Sequence, residues 1–134
     1  MIELSKKALM VASVASMIYK FNMDNIRILQ ELGYDVEVAC NFGKVNPMSS
    51  ENISEFREQL DKMNINYYEI DCPRNIFKLH KIYKTYRQLK KLADNNEYEM
   101  VHCHSPIGGA ITRVSFIKAR KRGTKVIYTA HGFH

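Results

Sequence analysis

Four of the five histidines in the chain fall in two short segments, and they are the side chains best suited to chemistry. His102 and His104 stand in the segment VHCH, whereas His131 and His134 stand in AHGFH. An imidazole can transfer a proton near neutral pH, form hydrogen bonds or bind zinc. A small zinc protein that uses all four histidines is one hypothesis. Because two residues on one strand and two at the end of another segment do not ensure tetrahedral geometry, we favour a site without metal.

A serine, a proline and a glycine pair follow His104 directly. Ser105 and Pro106 have the order expected at a helix start, with an N-cap residue followed by proline at the first helical position. The N-terminus of a helix presents free N–H groups, and glycines such as Gly108 and Gly109 let a ligand or another backbone come close. Two interpretations stay open: an anion site, or glycines that let the helix pack tightly on its neighbours.

Hydrophobic periodicity predicts five strands that alternate with four helices. The predicted strands cover residues 7–14, 34–40, 65–70, 100–104 and 124–130. The first helix is expected to be capped by Asn22 or Asp24 and to end at Gly33, and the second to be capped by Ser49 or Ser50. The third covers residues 76–94, and the fourth begins at Ser105. This alternation predicts an α/β fold: one Rossmann-like three-layer domain, residues 1–134, around a parallel sheet of strand order 3-2-1-4-5.

The predicted topology brings the candidate residues to one edge of the sheet. Ligands of such folds bind at the carboxyl ends of the strands, where the strand order reverses, which here is between strands one and four. We expect His104 and His131 to face this crevice, and His102, deeper in its strand, to be a hydrogen-bonded core residue. The residues predicted to line the crevice are Ser13, Ser16, Met17, His104, Ser105, Gly108, Gly109 and His131.

Composition and missing motifs exclude several classes. The 134 residues are 46% hydrophobic and 25% charged, which suits one folded domain, and no apolar run is long enough to cross a membrane. Three widely spaced cysteines indicate a reducing cytoplasmic setting rather than a disulfide framework. The sequence has no GxGxxG, GxxxxGK[ST] or GxSxG motif, which argues against dinucleotide oxidoreductases, P-loop NTPases and α/β-hydrolases.

The chain is basic, with 20 Lys and Arg against 14 Asp and Glu and a formal net charge of +6. Most of this charge lies on the predicted helix 76–94 and in the cluster 118–122. It is either an ordinary solvated face or a surface attracted to an anionic membrane. The apolar stripe of the same helix, including Tyr83 and Tyr86, is assigned to the core. No nucleic-acid motif accompanies the charge, so we expect no nucleic-acid partner.

Three segments carry a family resemblance: VHCHSPIGG (101–109), KVIYTAHGFH (125–134) and NIRILQELGYDVEVAC (25–40). They resemble the family 4 glycosyltransferases of bacterial polysaccharide synthesis, in particular the branch that builds capsular, exopolysaccharide or protein-linked glycans on a polyprenyl-diphosphate carrier. The resemblance implies a GT-B fold, in which an N-terminal acceptor-side domain faces a C-terminal domain that binds a nucleotide sugar. It also implies retention of anomeric configuration and no metal or other cofactor.

The resemblance also implies roles for individual residues. His131 matches the catalytic histidine that approaches the donor sugar. The loop 13–17 matches a segment near the donor diphosphate, although it lacks the usual glycine pair, and the turn 104–109 matches the acceptor side of the cleft. We expect a truncated acceptor-side domain that lacks its nucleotide-sugar-binding partner domain, is inactive alone, and works in the cytoplasm at the inner face of the cell membrane. The alternative is a stand-alone Rossmann-like binding module or partner subunit without catalysis.

Overall fold

The computed structural model describes residues 6–43 and 48–129, which form an α/β domain around a five-stranded sheet. Every strand pairing in the sheet is parallel, and the order is β3-β2-β1-β4-β5, as predicted. The strands are β1 (Lys6–Val11), β2 (Tyr34–Cys40), β3 (Asn66–Glu69), β4 (Tyr98–Cys103) and β5 (Lys125–Tyr128). The strand order therefore reverses between the neighbours β1 and β4.

Six helices connect the strands within this described part, two more than predicted. They are α1 (Ala15–Phe21), α2 (Met23–Glu31), α3 (Ser50–Lys62), α4 (Leu79–Asn95), α5 (Pro106–Ser115) and α6 (Ile117–Lys121). The prediction missed α1 because it extended the first strand to residue 14, treated residues 13–17 as a loop and placed the cap of the first helix at Asn22 or Asp24. At Asn22 the backbone leaves the helical region and the side-chain amide donates to the Met17 carbonyl, which separates α1 from α2. At the buried Phe116 the backbone also leaves the helical region, which separates α5 from α6.

The helices cover both faces of the sheet and bury two separate cores. On one face α1, α2 and α3 pack on the strands, with Ile18, Ile26 and Phe56 fully buried against Met10. On the other face α4, α5 and α6 bury Leu89 and Phe116 against alternate strand residues such as Leu9 and Val11. Successive strand residues point to opposite faces, so the continuous apolar run of β1 serves both cores.

One buried carboxylate lies between the strands at the amino-terminal edge. Glu37 is 1% exposed and accepts a 2.6 Å hydrogen bond from the Tyr98 hydroxyl. The Lys7 ammonium lies 3.8 Å from the same carboxylate and donates to Asn96. Burial, together with the negative charge of Glu37, raises the pKa of Tyr98 well above its usual range, so the phenol stays protonated and remains a donor. This contact ties β2 to β4 across β1.

The assignment of the whole α4 stripe to the core is wrong. Leu89 is fully buried, whereas Tyr83 is 59% exposed and Leu79 is 72% exposed. The physical reason is helical geometry: at about 100° per residue, Tyr83 lies about 120° around the axis from Leu89, outside the face that meets the sheet. Ile82 and Tyr86 are half-buried between these two extremes.

Within residues 6–43 and 48–129, no helix combines the length and the apolar character that crossing a membrane would require.

Candidate functional site

The loop after β1 and the turn after β4 meet where the strand order reverses. The Ser13 backbone N–H donates to Ser105 Oγ over 3.1 Å, which joins two segments 92 residues apart in sequence. Ser13 is half-buried and Ser105 is 6% exposed, so the bond is partly shielded from water. The predicted juxtaposition of these two segments is confirmed.

Ser105 occupies the predicted N-cap position of α5, with Pro106 at the first helical position. Its side chain does not cap the helix, because the hydroxyl is directed at the β1 loop instead. By contrast, the Ser49 hydroxyl caps α3 by accepting from the Asn52 N–H. Ser105 therefore fixes a contact between two loops rather than the start of its own helix.

The glycine pair allows α5 to approach both neighbouring strands. A methyl group on Gly108 would lie 2.5 Å from Ser105 Oγ and 3.5 Å from the Ser13 nitrogen. A methyl group on Gly109 would lie 2.8 Å from the nearest carbon of the Tyr128 ring. Both glycines are buried. Close packing, one of the two interpretations of this pair, accounts for both positions.

The structure confirms the hydrogen bond predicted for His102 but not the position predicted for His104. His104 is 1% exposed, whereas His102 is half-buried and forms a hydrogen bond between its Nε2 and Thr129 Oγ1. The expectation that His104 faces the crevice is wrong. Its backbone N–H still donates to the Val11 carbonyl, so the residue continues the pairing with β1. Its ring centroid lies 4.0 Å from that of His102, and the two ring planes are inclined at 42°.

His131 and His134 lie outside the described residues, as does the junction that contains them. Among residues 6–43 and 48–129 no three His, Cys, Asp or Glu side chains lie close enough together to hold a metal ion. Within that part, His102 is engaged by Thr129 rather than directed into an open cavity.

Two further residues of the predicted site belong to α1 rather than to a loop. Ser16 is 6% exposed, and Met17 packs against the core that α1 shares with the sheet. These two residues are helical because β1 ends at Val11 and α1 already begins at Ala15. Ser13 is thus the residue of this segment that is oriented to meet the β4–α5 turn.

Asn41 holds together the carboxyl ends of three strands. Its backbone carbonyl accepts from the Ala15 N–H at the start of α1, over 3.1 Å. Its side-chain amide donates to the Cys72 carbonyl after β3 and its side-chain oxygen accepts from the Gly43 N–H. The sequence predicts a turn at Asn41, directly after the second strand, but Asn41 was not among the predicted site residues.

Thr129 is the second residue that the sequence analysis missed. Its N–H donates to the Cys103 carbonyl, which extends the pairing of β4 and β5 by one residue, and its hydroxyl binds His102. Its position two residues before His131 could have indicated that Thr129 lies close to the candidate site.

The cysteines offer no nucleophile. All three are buried, and burial raises the pKa of the Cys72 thiol to about 12. Burial also raises the pKa of Cys103 and that of Cys40. A thiol in such surroundings stays protonated at neutral pH and is inert.

Asp71, after β3, is an ionised carboxylate at the same edge. A hydrogen bond from Lys84, at 3.0 Å, and another from Gln88 hold the pKa of this carboxyl below its usual range despite partial burial. The Gln88 side-chain oxygen also accepts from the Asp71 N–H. This group anchors the segment that leads into α4.

Comparison with known proteins shows the family to which the chain belongs. Residues 7–134 match the family described as glycosyl transferase 4-like. The chain belongs to this family. It is 37% identical over 131 residues to a protein of Bacillus subtilis (strain 168) named "Putative glycosyltransferase EpsD". The alignment covers 98% of the chain but spans only 30% of that relative's length.

Solved structures of glycosyltransferases share the fold. MurG of Acinetobacter baumannii superposes on the chain with a TM-score of 0.64 at 18% identity, over 96% of the chain and 37% of MurG. A glycosyltransferase from Rickettsia africae ESF-5 gives a TM-score of 0.64 at 18% identity, over 98% of the chain and 31% of that protein. The chain therefore has the Rossmann-like half of a GT-B fold, in agreement with the predicted fold class.

Proposed function

We propose that the chain is the acceptor-side domain of a retaining glycosyltransferase that moves a hexose from a nucleotide-sugar donor to a lipid-linked or polysaccharide acceptor. The bacterial product would be a surface glycan, namely a capsular or exopolysaccharide. The observation that carries this proposal is the family match over residues 7–134, which includes the edge where β1 and β4 meet. The chain's resemblance to enzymes of polyprenyl-linked glycan synthesis supports the choice of acceptor.

The reaction replaces one bond at the anomeric carbon of the donor sugar by another. The bond to the diphosphate oxygen breaks, the bond to the acceptor hydroxyl oxygen forms on the same face, and the acceptor proton leaves with the diphosphate. Positive charge develops on the sugar and negative charge on the leaving group. Groups that bind these charges more strongly in the transition state than in the ground state accelerate the step.

His131 is the residue to which we assign direct contact with the donor sugar. It would orient a sugar hydroxyl by a hydrogen bond, and no metal is needed for that role. Thr129, two residues earlier, is fixed at the same sheet edge by Cys103 and His102, which supports the assignment.

The remaining predicted site residues position this edge. Because His104, Ser16, Gly108 and Gly109 are buried, we assign them to the scaffold that holds the two loops together. Ser13 and Ser105 join those loops directly. Met17, packed on the core, belongs to the same scaffold.

The donor would bind to a second domain across the cleft, because the chain spans 30% of the length of its curated relative. We therefore expect the 134-residue chain to transfer no sugar until that domain is supplied. The protein would work in the cytoplasm, at the inner face of the cell membrane. A stand-alone binding module would instead bind ligand at this edge without turnover.

A radiolabel assay tests the proposal. The protein, together with a donor-binding domain on the same or a separate polypeptide, is mixed with labelled UDP-glucose, UDP-galactose or UDP-N-acetylglucosamine and with vesicles that carry undecaprenyl-diphosphate-linked N-acetylglucosamine. We expect label in the lipid fraction with one of the donors, in the presence of EDTA. Because all three donors are α-linked, retention predicts an α-linked sugar in the product. Absence of transfer with every donor, or dependence on a metal ion, would contradict the proposal.

A further inference from the structure

We propose that His102 is a positioning residue for sugar transfer, which binds Thr129 and so fixes the point from which the chain continues to His131. The inference deepens the proposed function and rests on it, because it concerns the residue to which we assign contact with the donor sugar. His102 itself touches neither the donor nor the acceptor. It sets where the His131 imidazole lies relative to the donor sugar.

The strand β5 needs support at its carboxyl end. It has four residues, and within the described part of the chain it pairs with β4 alone, from Met100 with Lys125 to Cys103 with Tyr128. A strand at the edge of a sheet has ladder hydrogen bonds on one side only, and the ends of an element open more readily than its centre. The direction of the chain beyond Tyr128 therefore depends on contacts made after the strand.

Thr129, the first residue after β5, is held at two points. Its backbone N–H donates to the Cys103 carbonyl over 3.0 Å. Its side-chain Oγ1 lies 2.5 Å from His102 Nε2, with which it forms a hydrogen bond. The first bond holds the backbone along the strand and the second holds the side chain, so the residue can neither slide nor rotate freely.

The imidazole that binds Thr129 has a rigid support. His102 belongs to β4 and pairs with Met10 of β1 on one side and with Ile127 of β5 on the other. The ring centroid of His104 lies 4.0 Å from that of His102, and His104 is only 1% exposed. A group on an internal strand with a buried neighbour is a more precise anchor than a group on a loop.

A polar contact at this point does more than join the two strands. The hydrophobic effect is not directional, so an apolar cross-strand pair would join β4 to β5 without selecting one orientation of Thr129. A hydrogen bond has a preferred length and angle, so it selects one arrangement. The contact between His102 and Thr129 is therefore suited to orienting the chain and not only to packing it.

The contact lies close enough to His131 to control its position. His131 follows Thr129 by two residues, and two residues of extended chain reach about 7 Å at most. A rotation at Thr129 is therefore passed on to His131 with little intervening chain to absorb it. Misplacing a reacting group by about 1 Å can cost about a hundredfold in rate. Loss of the contact should therefore lower kcat rather than weaken substrate binding.

Steady-state kinetics of two variants of Thr129 test this role, with the donor-binding domain supplied. Thr129→Val removes the hydroxyl at nearly constant volume, whereas Thr129→Ser keeps it. We expect Thr129→Val to lower kcat at least tenfold, with KM for donor and acceptor within twofold of the wild type. Thr129→Ser should keep kcat within threefold. A Thr129→Val protein that unfolds at a lower temperature but keeps the wild-type kcat would show a purely structural contact and overturn the proposal.

Variants of His102 test the other side of the same bond. His102→Phe keeps a ring and removes the nitrogen, whereas the amide of His102→Gln reaches a position close to that of Nε2. We expect His102→Phe to lower kcat at least tenfold and His102→Gln to recover most of the rate. Combined with Thr129→Val, His102→Phe should cause no further loss, because both substitutions remove one bond. Losses that multiply would overturn the coupling.

The matched control is Ile127→Ala, which changes the β5 residue paired with His102. Ile127 is 42% exposed, so its truncation should leave the fold intact. We expect the wild-type kcat from this variant. A loss equal to that of Thr129→Val would indicate general weakening of β5 and would count against a specific role of His102.

NMR of the 134-residue chain follows His131 without any need for turnover. Carbon-13 labelling of histidine at Cε1 gives one signal for each of the five histidines, and the His131 signal is assigned by its absence in His131→Ala. We expect Thr129→Val to move the His131 signal by more than its linewidth and Thr129→Ser to leave it in place. The signal of His80, at an exposed position on α4, should not move in either variant. An unmoved His131 signal in Thr129→Val would overturn the positioning role.

The two experiments separate this inference from the proposed function. If the wild type transfers no sugar but its His131 signal responds to Thr129→Val, the glycosyltransferase proposal fails and the link between His102 and His131 stands. If the wild type transfers sugar and both Thr129→Val and His102→Phe keep its kcat, the positioning role fails and the glycosyltransferase proposal stands.

Discussion

Replacing Gly108 by alanine tests whether the Ser13–Ser105 contact holds the two loops together. The new methyl group would lie 2.5 Å from Ser105 Oγ, which is closer than two such atoms can approach, and 3.5 Å from the Ser13 nitrogen, which is an ordinary contact. The hydroxyl is the movable partner, so it must rotate away and release the Ser13 N–H. We therefore expect the substitution to remove a hydrogen bond rather than to displace the helix.

The change in the free energy of unfolding caused by Gly108→Ala is the sum of two opposing effects. A partly buried N–H that loses its acceptor costs about 1–3 kcal/mol, and the half-buried position of Ser13 favours the lower part of that range. Alanine in a helix interior is more stable than glycine by about 0.5–1 kcal/mol. The net expectation for Gly108→Ala is a loss of about 1 kcal/mol in the free energy of unfolding. In a domain of this size that lowers the melting temperature by roughly 4 °C.

A double-mutant cycle with Ser105→Ala gives the decisive comparison. Once the hydroxyl is absent, the methyl group on Gly108 has no close neighbour to displace, and its contribution to helix stability alone should remain. Gly108→Ala should then stabilise the Ser105→Ala protein by about 0.5–1 kcal/mol, although it destabilises the wild type. Urea unfolding of the four proteins measures all terms. Equal effects of Gly108→Ala in both backgrounds would refute the reasoning.

Three further predictions concern contacts away from this loop pair. Tyr98→Phe removes the 2.6 Å donor to the buried Glu37 carboxylate and should cost about 1.5–3 kcal/mol in urea unfolding, whereas a loss under 0.5 kcal/mol would contradict the assigned bond. Lys84→Met removes the main cause of the lowered pKa of Asp71. The substitution should therefore lower the free energy of unfolding above the unfolded carboxyl pKa of about 4, and this loss should vanish as pH falls through the lower folded pKa. A loss of stability that does not change with pH would contradict the role of Lys84. A thiol reagent at pH 8 should leave Cys72 and the other two cysteines unmodified until the protein is unfolded in urea.

The strand order was predictable because the parallel β-α alternation admits few topologies once crossovers are right-handed. The helix ends at Gly33 and Gly123 were also predictable, because glycine readily adopts the positive φ that often terminates a helix. The φ angles are 93° at Gly33 and 112° at Gly123. The helix α1 was not predictable in the same way. The residues after β1 mix apolar side chains with serines, including the buried Ser16, so periodicity did not separate a strand or loop from a buried helix.

The candidate site was predicted in its location but not in its detail. Sequence position brought Ser13 and Ser105 to one edge, since strands β1 and β4 were expected to be neighbours. The orientation of the His104 side chain could not be predicted from strand order. It depends on whether the His104 N–H continues the β1–β4 pairing by donating to the Val11 carbonyl. The exposure of Leu79 was likewise inaccessible, because a stripe of apolar residues does not state how much of its width a neighbouring sheet covers.

The transfer rate of His131→Ala tests the central claim most directly. The assay uses the protein together with its donor-binding domain, the labelled donor and a detergent-solubilised lipid-linked acceptor. The matched control is His80→Ala, at an exposed position on α4. We predict that His131→Ala lowers the transfer rate at least a hundredfold, with thermal unfolding unchanged, and that His80→Ala keeps the wild-type rate. A His131→Ala protein that transfers sugar at the wild-type rate would contradict the account.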